Sequence, residues 1–492
     1  MTRDRTSVRR RQRQQQTHAL ETHDIIHPGP ILTLPQEIYS EIFVHCVSEI
    51  WIPKLYSSDI DAPMSLLNVC RKWRSIALAT PALWTTFVVN LDRLRLSSAA
   101  AGDFEKHLET WCSRARSLPL SLSFVGHVTK KIGTDRLSGT ITPYLSKVRF
   151  LKLEITVDDF FKLRVSKASL LQTLNLGAGK VYNKSEGPEP GAVTVSESFP
   201  VLRTLILNEG TIPPHRSIPW HQLTTLIVTE DLSIDDCLQV LRWAPSLVEC
   251  EFRTYATEDE DDTAYPVSHA RLTSLLLGDC AHLLLFLTLP ALRVLQLQDM
   301  DDETDACVVP FLARSAPPLR KFLLRENTYM KVSTQCYLSI PGLTHLELHG
   351  MKEAGAIEFL NLLEKEPKTF LPNLEHLAFI NTTFYRVSSY RLLLRALRSR
   401  SKSCYDGPPV NAFRLQWYME AILDEELPPL PFAELVAGGM DIYIGPEEYN
   451  CLWMFSDKSS CSDKSEVQRY YELISALLIE HGEKFGSKKS SP

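Results

Sequence analysis

One spacing restricts the folds open to this chain more than any other feature. The pattern L-x-x-L-x-L, with other apolar residues allowed at the leucine positions, recurs ten times. The instances are Val148/Leu151/Leu153, Leu171/Leu174/Leu176, Leu202/Leu205/Leu207, Leu223/Leu226/Val228, Leu247/Cys250/Phe252, Leu272/Leu275/Leu277, Leu292/Leu295/Leu297, Leu319/Phe322/Leu324, Leu343/Leu346/Leu348 and Leu374/Leu377/Phe379. The nine intervals between them cover 226 residues, about 25 each, and run from 20 to 31. Six instances carry a proline two residues before the first position: Pro200, Pro245, Pro290, Pro317, Pro341 and Pro372. Proline stops the preceding segment and leaves the next one extended. Amphipathic helices that met the spacing by chance would not place prolines in phase with it.

Within each instance the last two apolar positions lie two residues apart. On a strand they share one face, and their neighbours take the other. A single such unit cannot bury its apolar face, but stacked units can. The period matches that of leucine-rich repeats. The expected fold is α/β: an irregular leucine-rich-repeat solenoid over residues 146–440, with a parallel concave sheet and with helices and loops on the convex side. Irregularity is expected because interval lengths vary and the usual asparagine or cysteine step after the strand is mostly missing, as in "LGAGK" and "LQDMD". Residues 353–366 and 237–244 read as convex helices, and "TEDEDDT", 257–263, as a solvated acidic loop.

The concave set would include Lys152, Asn175, Thr204, Glu249, Glu251, Gln296, Gln298, Lys321, Arg325, His345, Glu347 and His376. Glu249, Glu251, Gln296, Lys321, Arg325, His345 and Glu347 are the candidate contacts to a substrate protein. Lys321 and Arg325 would favour an acidic motif there. The apolar outward residues Ile206, Ile227, Leu276 and Leu323 either mark an interaction stripe or are covered by loops or by segment 413–480.

Upstream lie "LTLPQEIYSEIFVHCV" and "LLNVCRKWRSIALATPALWTTF". In the first, Pro35 suits a first helical turn, Glu37 suits the positive end of the helix dipole, and Ile38, Ile42, Phe43, Cys46 and Val47 form an apolar stripe. In the second, Leu66, Val69, Cys70, Trp73 and Ala77 follow helical spacing. Thr80 and Pro81 read as a cap and a restart before Leu83 and Trp84. A unit of about 55 residues rarely draws more than about 3–5 kcal/mol from its own core. Leu34, Ile42, Phe43, Trp73 and Trp84 are a heavy apolar load for it, so some must be covered by the rest of the chain or by a partner.

Together these stretches resemble an F-box in the form common in mushroom-forming fungi. The matching residues are Leu34-Pro35, Glu37-Ile38, Ile42-Phe43, Leu66, Val69-Cys70, Trp73-Arg74, Ile76-Ala77, Thr80-Pro81 and Leu83-Trp84. Residues 108–124 resemble the segment that follows the F-box in those proteins. One departure is the connector "SEIWIPKLYSSDIDAP", which is longer than in the compact motif. The resemblance implies a three-helix F-box at 31–90 that docks on the Skp-type adaptor and cullin of a ubiquitin ligase. Leu34, Pro35, Ile38, Ile42, Phe43, Leu66, Val69, Trp73, Leu83 and Trp84 would be the contacts, with some of them internal core. The chain would be an adaptor rather than an enzyme. A scaffolding repeat protein with a degenerate F-box is the alternative.

The remaining segments are an Arg-rich tail at 1–30, a connecting helical segment at 91–145, a C-terminal helical cap at 441–482 and a tail at 483–492. Both tails are expected to be disordered, and the first could also serve as an import signal. A net charge of −6 gives no general pull toward nucleic acid or anionic membrane. The 11 scattered cysteines without a CxxC pair fit reduced thiols in the cytoplasm or nucleus. No uninterrupted apolar run is long enough to span a bilayer, and the N-terminus has no apolar signal core. "GAGK" lacks the phosphate-loop frame, and HExxH and GxSxG are missing. "HLELH" aligns His345, Glu347 and His349 but offers no fourth ligand, so neither a metal nor a cofactor is expected.

Overall fold

The computed structural model describes residues 34–46, 63–90, 98–126, 133–163, 168–177, 199–209, 211–255, 265–279, 281–298, 304–325, 334–382, 384, 386–417 and 430–446. The two tails, most of the connector after Cys46, the acidic insert at 257–263 and residues 447–482 of the expected cap lie outside them, as does Val47. The chain divides into two compact units, one of residues 1–172 with 198–200, the other of 173–197 with 201–492. The protein is α/β, with fourteen strands running parallel in chain order.

The first unit opens with helix α1 (Gln36–Cys46), a 3-10 turn (Leu66–Asn68), α2 (Arg71–Ala79) and a second 3-10 turn (Pro81–Trp84). Strands β1 (Thr86–Asn90), β2 (Leu120–Val125) and β3 (Val148–Leu153) follow, with α3 (Ser98–Arg114), α4 (Thr134–Ile141) and α5 (Val157–Lys162) among them. Three expectations are corrected here. The helical spacing from Leu66 to Ala77 is broken at Cys70. Its extended backbone makes it the N-cap of α2, and its Sγ accepts the Trp73 N–H at 3.4 Å. Segment 91–145 is not only helical, because Leu120, Leu122 and Phe124 alternate along a strand that pairs with β1 and β3. Thr80 does precede Pro81, yet its hydroxyl donates to the Ile76 carbonyl (2.8 Å) instead of capping the next turn.

The second unit holds β4 (Thr173–Leu176), β5 (Thr204–Leu207), β6 (Thr225–Ser233), β7 (Glu249–Tyr255), β8 (Val267–Ser268), β9 (Ser274–Gly278), β10 (Leu287–Thr288), β11 (Val294–Gln298), β12 (Lys321–Arg325), β13 (His345–His349), β14 (His376–Ile380), β15 (Ala412–Trp417) and β16 (Asp441–Pro446). β8 and β10 pair with each other; the other eleven are neighbours in order. Register aligns the repeats. Leu205 faces Leu226, Leu275 faces Leu295, and Leu346 faces Phe322 and Leu377. All of these are buried, forming one continuous apolar layer.

The phased prolines have a structural cause. The N–H groups of Leu247, Leu292, Leu343 and Leu374 bond to the carbonyls of Ala244, Leu289, Ile340 and Leu371. Pro245, Pro290, Pro341 and Pro372 therefore sit at the second position of a tight turn, where a fixed φ is preferred. Beyond that turn a repeat-to-repeat ladder begins: Val248 N–H to Thr224 O, Thr273 to Val248, Arg293 to Thr273, Arg320 to Arg293 and Thr344 to Arg320. Behind the sheet lie α6 (Ile234–Trp243), α7 (Thr304–Ser315), α8 (Thr334–Leu338), α9 (Glu353–Lys365), α10 (Val387–Ser399) and α11 (Leu430–Ala437). The two expected convex helices are α6 and α9. α6 begins at a reciprocal cap, in which Ser233 Oγ accepts the Asp236 N–H and donates to its carboxylate.

Polar side chains close the irregular turns. Arg314 Nη2 donates to the carbonyls of Leu284 (2.6 Å) and Leu287 (2.7 Å). Arg400, fully buried, donates to those of Phe370 and Leu371. In the fourteen-stranded sheet, four strands fall outside the ten leucine instances: β1, β2, β15 and β16. The last of these corrects the expected helical cap, since residues 441–446 are a strand paired to β15.

Candidate interaction surfaces

The first surface is built by the N-terminal helices. Tyr39 and Phe43, one turn apart on α1, are buried and meet Trp73 of α2 at ring-centroid distances of 6.3 and 5.0 Å. Trp84 is fully buried, with its indole N–H donating to the Ala77 carbonyl at 2.9 Å and its ring edge-on to Trp111 at 4.8 Å. This sorts the ten expected docking residues. Phe43, Leu66, Leu83 and Trp84 are interior and support the surface without forming it. Leu34 and Trp73 are half-buried, and Pro35 is exposed. Ile38, Ile42 and Val69 are exposed at 46%, 38% and 58%. Ile38 and Ile42 occupy one face of α1, so the apolar stripe is divided: these two turn outward while Phe43 turns inward. Met64 and Leu78 are also exposed, and neither was singled out by the sequence.

The second surface is the outward side of the second unit's sheet. The alternation expected from the repeats places the outward residues there. Glu249 and Lys321 are exposed, while Asn175, Thr204, Glu251, Gln296, Gln298, Arg325, His345, Glu347 and His376 are half-buried. Lys152, on β3 of the first unit, lies 3.7 Å from Glu154. The middle outward position runs in register as Asn175, Ile206, Ile227, Glu251, Leu276, Gln296, Leu323, Glu347 and Ala378. Of the four large aliphatic members, Leu323 is only 2% exposed, wedged between Gln296 and Glu347. Ile206, Ile227 and Leu276 remain half-exposed.

The structure brings Lys321, Arg325, His345, Glu347 and His376 together. His345 and His376 are register partners whose rings stack at 4.0 Å. Burial, and the neighbouring His376 and Lys321, hold His345 below the usual histidine range. His349 Nε2 donates to Glu347 Oε1 at 2.6 Å, and Arg325 Nη2 lies 3.9 Å from the same oxygen. The His349 hydrogen bond, helped by these cations, holds the Glu347 carboxyl below the usual carboxylate range. Glu251 is pushed up by burial, with Arg253 opposing. Sequence reasoning missed Arg414, whose guanidinium lies 4.9 Å from the Tyr443 ring centroid. Both stand on strands outside the ten leucine instances.

"HLELH" does share one face, but His349 is hydrogen-bonded to Glu347 and His345 Nδ1 to the Thr344 hydroxyl. Among the described residues no group of three histidine, cysteine or carboxylate side chains is placed to hold a metal. A cavity of about 270 Å³ is lined by Arg398, Ser401, Lys402, Cys404, Asn411 and Glu434, among others. Hydrogen bonds to Ser403 and Ser401 hold the exposed Cys404 thiol below the usual range. Arg398 is paired with Glu434 at 2.5 Å. Among the described residues no helix is long and apolar enough to cross a membrane. A scan against models of known protein families finds no match, and no curated protein matches the chain.

Proposed function

We propose that this chain is a substrate-recognition adaptor of a Skp–cullin–F-box type ubiquitin ligase. Residues 34–84 would act as an F-box that docks on the Skp-type adaptor, and the outward sheet face of the repeats would hold a target protein. The reading places the protein in the cytoplasm or nucleus. The observation that carries it is the set of exposed aliphatic side chains on a small helical unit that matches the F-box residues: Ile38, Ile42 and Val69. Apolar anchors beside a packed aromatic core are what a docking module presents. Catalysis would belong to the partners, and the contribution here would be proximity, which makes ubiquitin transfer effectively intramolecular.

The test is assembly. Purified chain is mixed with a Skp-type adaptor and a cullin scaffold and run over a sizing column. A stable complex that is lost in Ile42→Asp, while the variant keeps its melting temperature, supports the proposal. No complex from a folded chain overturns it. That result would leave the scaffolding alternative, which the long connector between α1 and α2 favours.

A further inference from the structure

From β7 to β12 the outward face of the second unit carries its charges at the two edges. β7 presents Glu249 and Glu251, and its Arg253 lies 4.0 Å from Asp279. β12 presents Lys321 and Arg325. The two strands between them, β9 and β11, present no charge at all. Their outward residues are Ser274, Leu276 and Gly278, then Val294, Gln296 and Gln298. An acidic strand is thus separated from a basic strand by a neutral, partly apolar floor.

The separation has a natural ruler. β7 and β12 are three strand steps apart in the sheet order, which is about 14 Å at the usual strand spacing. A peptide in extended conformation covers that span in about four residues. Positions i, i+2 and i+4 of such a peptide point to the same side. All three would face the sheet when the segment lies across the strands.

We infer that the face from β7 to β12 receives an extended segment with a basic residue at i, a small or apolar residue at i+2 and an acidic residue at i+4. The basic residue meets Glu249 and Glu251. The apolar residue rests on Leu276 and Val294. The acidic residue meets Lys321, and the Arg325–Glu347 contact limits how much Arg325 adds. This inference rests on the reading that the repeats hold the target, and it names the class of target segment.

The full-length chain is tested against surface-immobilised synthetic peptides. One set carries lysine, leucine and glutamate at alternate positions in a serine–threonine background. The control set has the same composition with lysine and glutamate adjacent. The alternate set should bind about fivefold more tightly than the control, the scale of one exposed charge pair. Lys321→Glu should lose that preference and gain one for peptides with lysine in place of the glutamate. Equal binding of both sets, or an unchanged preference in Lys321→Glu, overturns the inference. Complex formation with the Skp-type adaptor is measured on the wild-type chain alongside the peptides. A wild-type complex without a preference for the alternate set sinks this inference alone, and a wild-type preference without the complex sinks the ligase reading alone.

Discussion

The N-terminal helices and the repeats dispose of their apolar residues in different ways. Among the described residues, positions 34–84 leave five large apolar side chains exposed: Ile38, Ile42, Met64, Val69 and Leu78. The described residues of the second unit leave four, Val248, Tyr265, Leu338 and Val436, far apart along the chain. Scattered exposure of the second kind is ordinary. The repeats achieve it because each strand's leucines pack on those of the next strand. The helical unit has no next copy. It fills its interior with Tyr39, Phe43, Trp73 and Trp84 and keeps aliphatic side chains on its surface. Stacking thus covers the apolar residues of the repeats, while the helical unit keeps some of its own on the surface, where the proposed partner would cover them.

The strongest way to break this contrast is to empty each core in turn. Trp84→Ala removes a fully buried ring and its bond to the Ala77 carbonyl. The cost is about 3–5 kcal/mol, comparable with the stability a unit of that size draws from its own core. Hydrogen exchange should show residues 71–90 losing protection together. Leu346→Ala should cost a similar about 2–5 kcal/mol, yet coupling between repeats runs mainly to nearest neighbours. Protection should fall around β12–β14 and persist in β4–β6. Loss across all eleven strands would show one cooperative block and remove the distinction.

The next effect separates binding from folding. Ile42→Asp should change stability by no more than about 0.5 kcal/mol, as exposed substitutions do. Affinity for a Skp-type adaptor should fall at least about tenfold, equivalent to about 1.4 kcal/mol. Calorimetric titration and a thermal melt on one preparation read both. Wild-type affinity in this variant would make the exposed aliphatics an ordinary surface and erase the lesson of the comparison.

The same contrast explains what could be seen in the sequence. Ten strands were legible because stacking makes every repeat solve burial identically, so the solution is written ten times. β15 uses Val410, Phe413 and Leu415 in the same spacing, but Val410 comes 36 residues after Leu374, a longer step than any of the 20–31 within the ten, and so the strand stands out of phase with them. In the helices no repetition helps. α1 carries two apolar pairs at i, i+4: Ile38 with Ile42, and Tyr39 with Phe43. Periodicity accepts either as the buried one. Only the position of Trp73 decides, and the sequence does not contain it. The break at Cys70 was hidden for a related reason, since a thiol that caps a helix occupies a position that also fits the apolar period. The charge order across β7 to β12 follows from register, and register became visible once the strands were aligned.

A smaller effect is expected from pH. His345 is held below its ordinary range, so between that lowered value and the usual 6.5 the unfolded chain binds the extra proton. Stability is then full above about pH 6.5 and declines as pH falls toward the lowered value. Denaturant melts at pH 7.0 and 5.5 should show this loss, and His345→Gln should reduce it. Glu347 acts lower. Its depressed carboxyl contributes stability that is present above the ordinary carboxylate range, about pH 4.3, and is lost as pH falls through the depressed value. A loss between pH 7.0 and 5.5 that His345→Gln leaves intact would place the sensitivity elsewhere than the His345–His376 stack.

The smallest expected effect tests whether the helices behind the repeats depend on their surface charges. Arg395 on α10 donates to Glu364 on α9 at 2.9 Å, with more than half of the Arg395 side chain exposed. Such pairs contribute little, because water screens them and two long side chains lose freedom. The buried leucines of the same helices, Leu360, Leu363, Leu393 and Leu397, already fix their packing. Arg395→Ala should therefore shift stability by no more than about 0.5 kcal/mol, read as the midpoint of a urea melt. A shift several times larger would mean that α9 and α10 need a charge link as well as apolar packing, and that the second unit is less self-sufficient than its buried leucine layer implies.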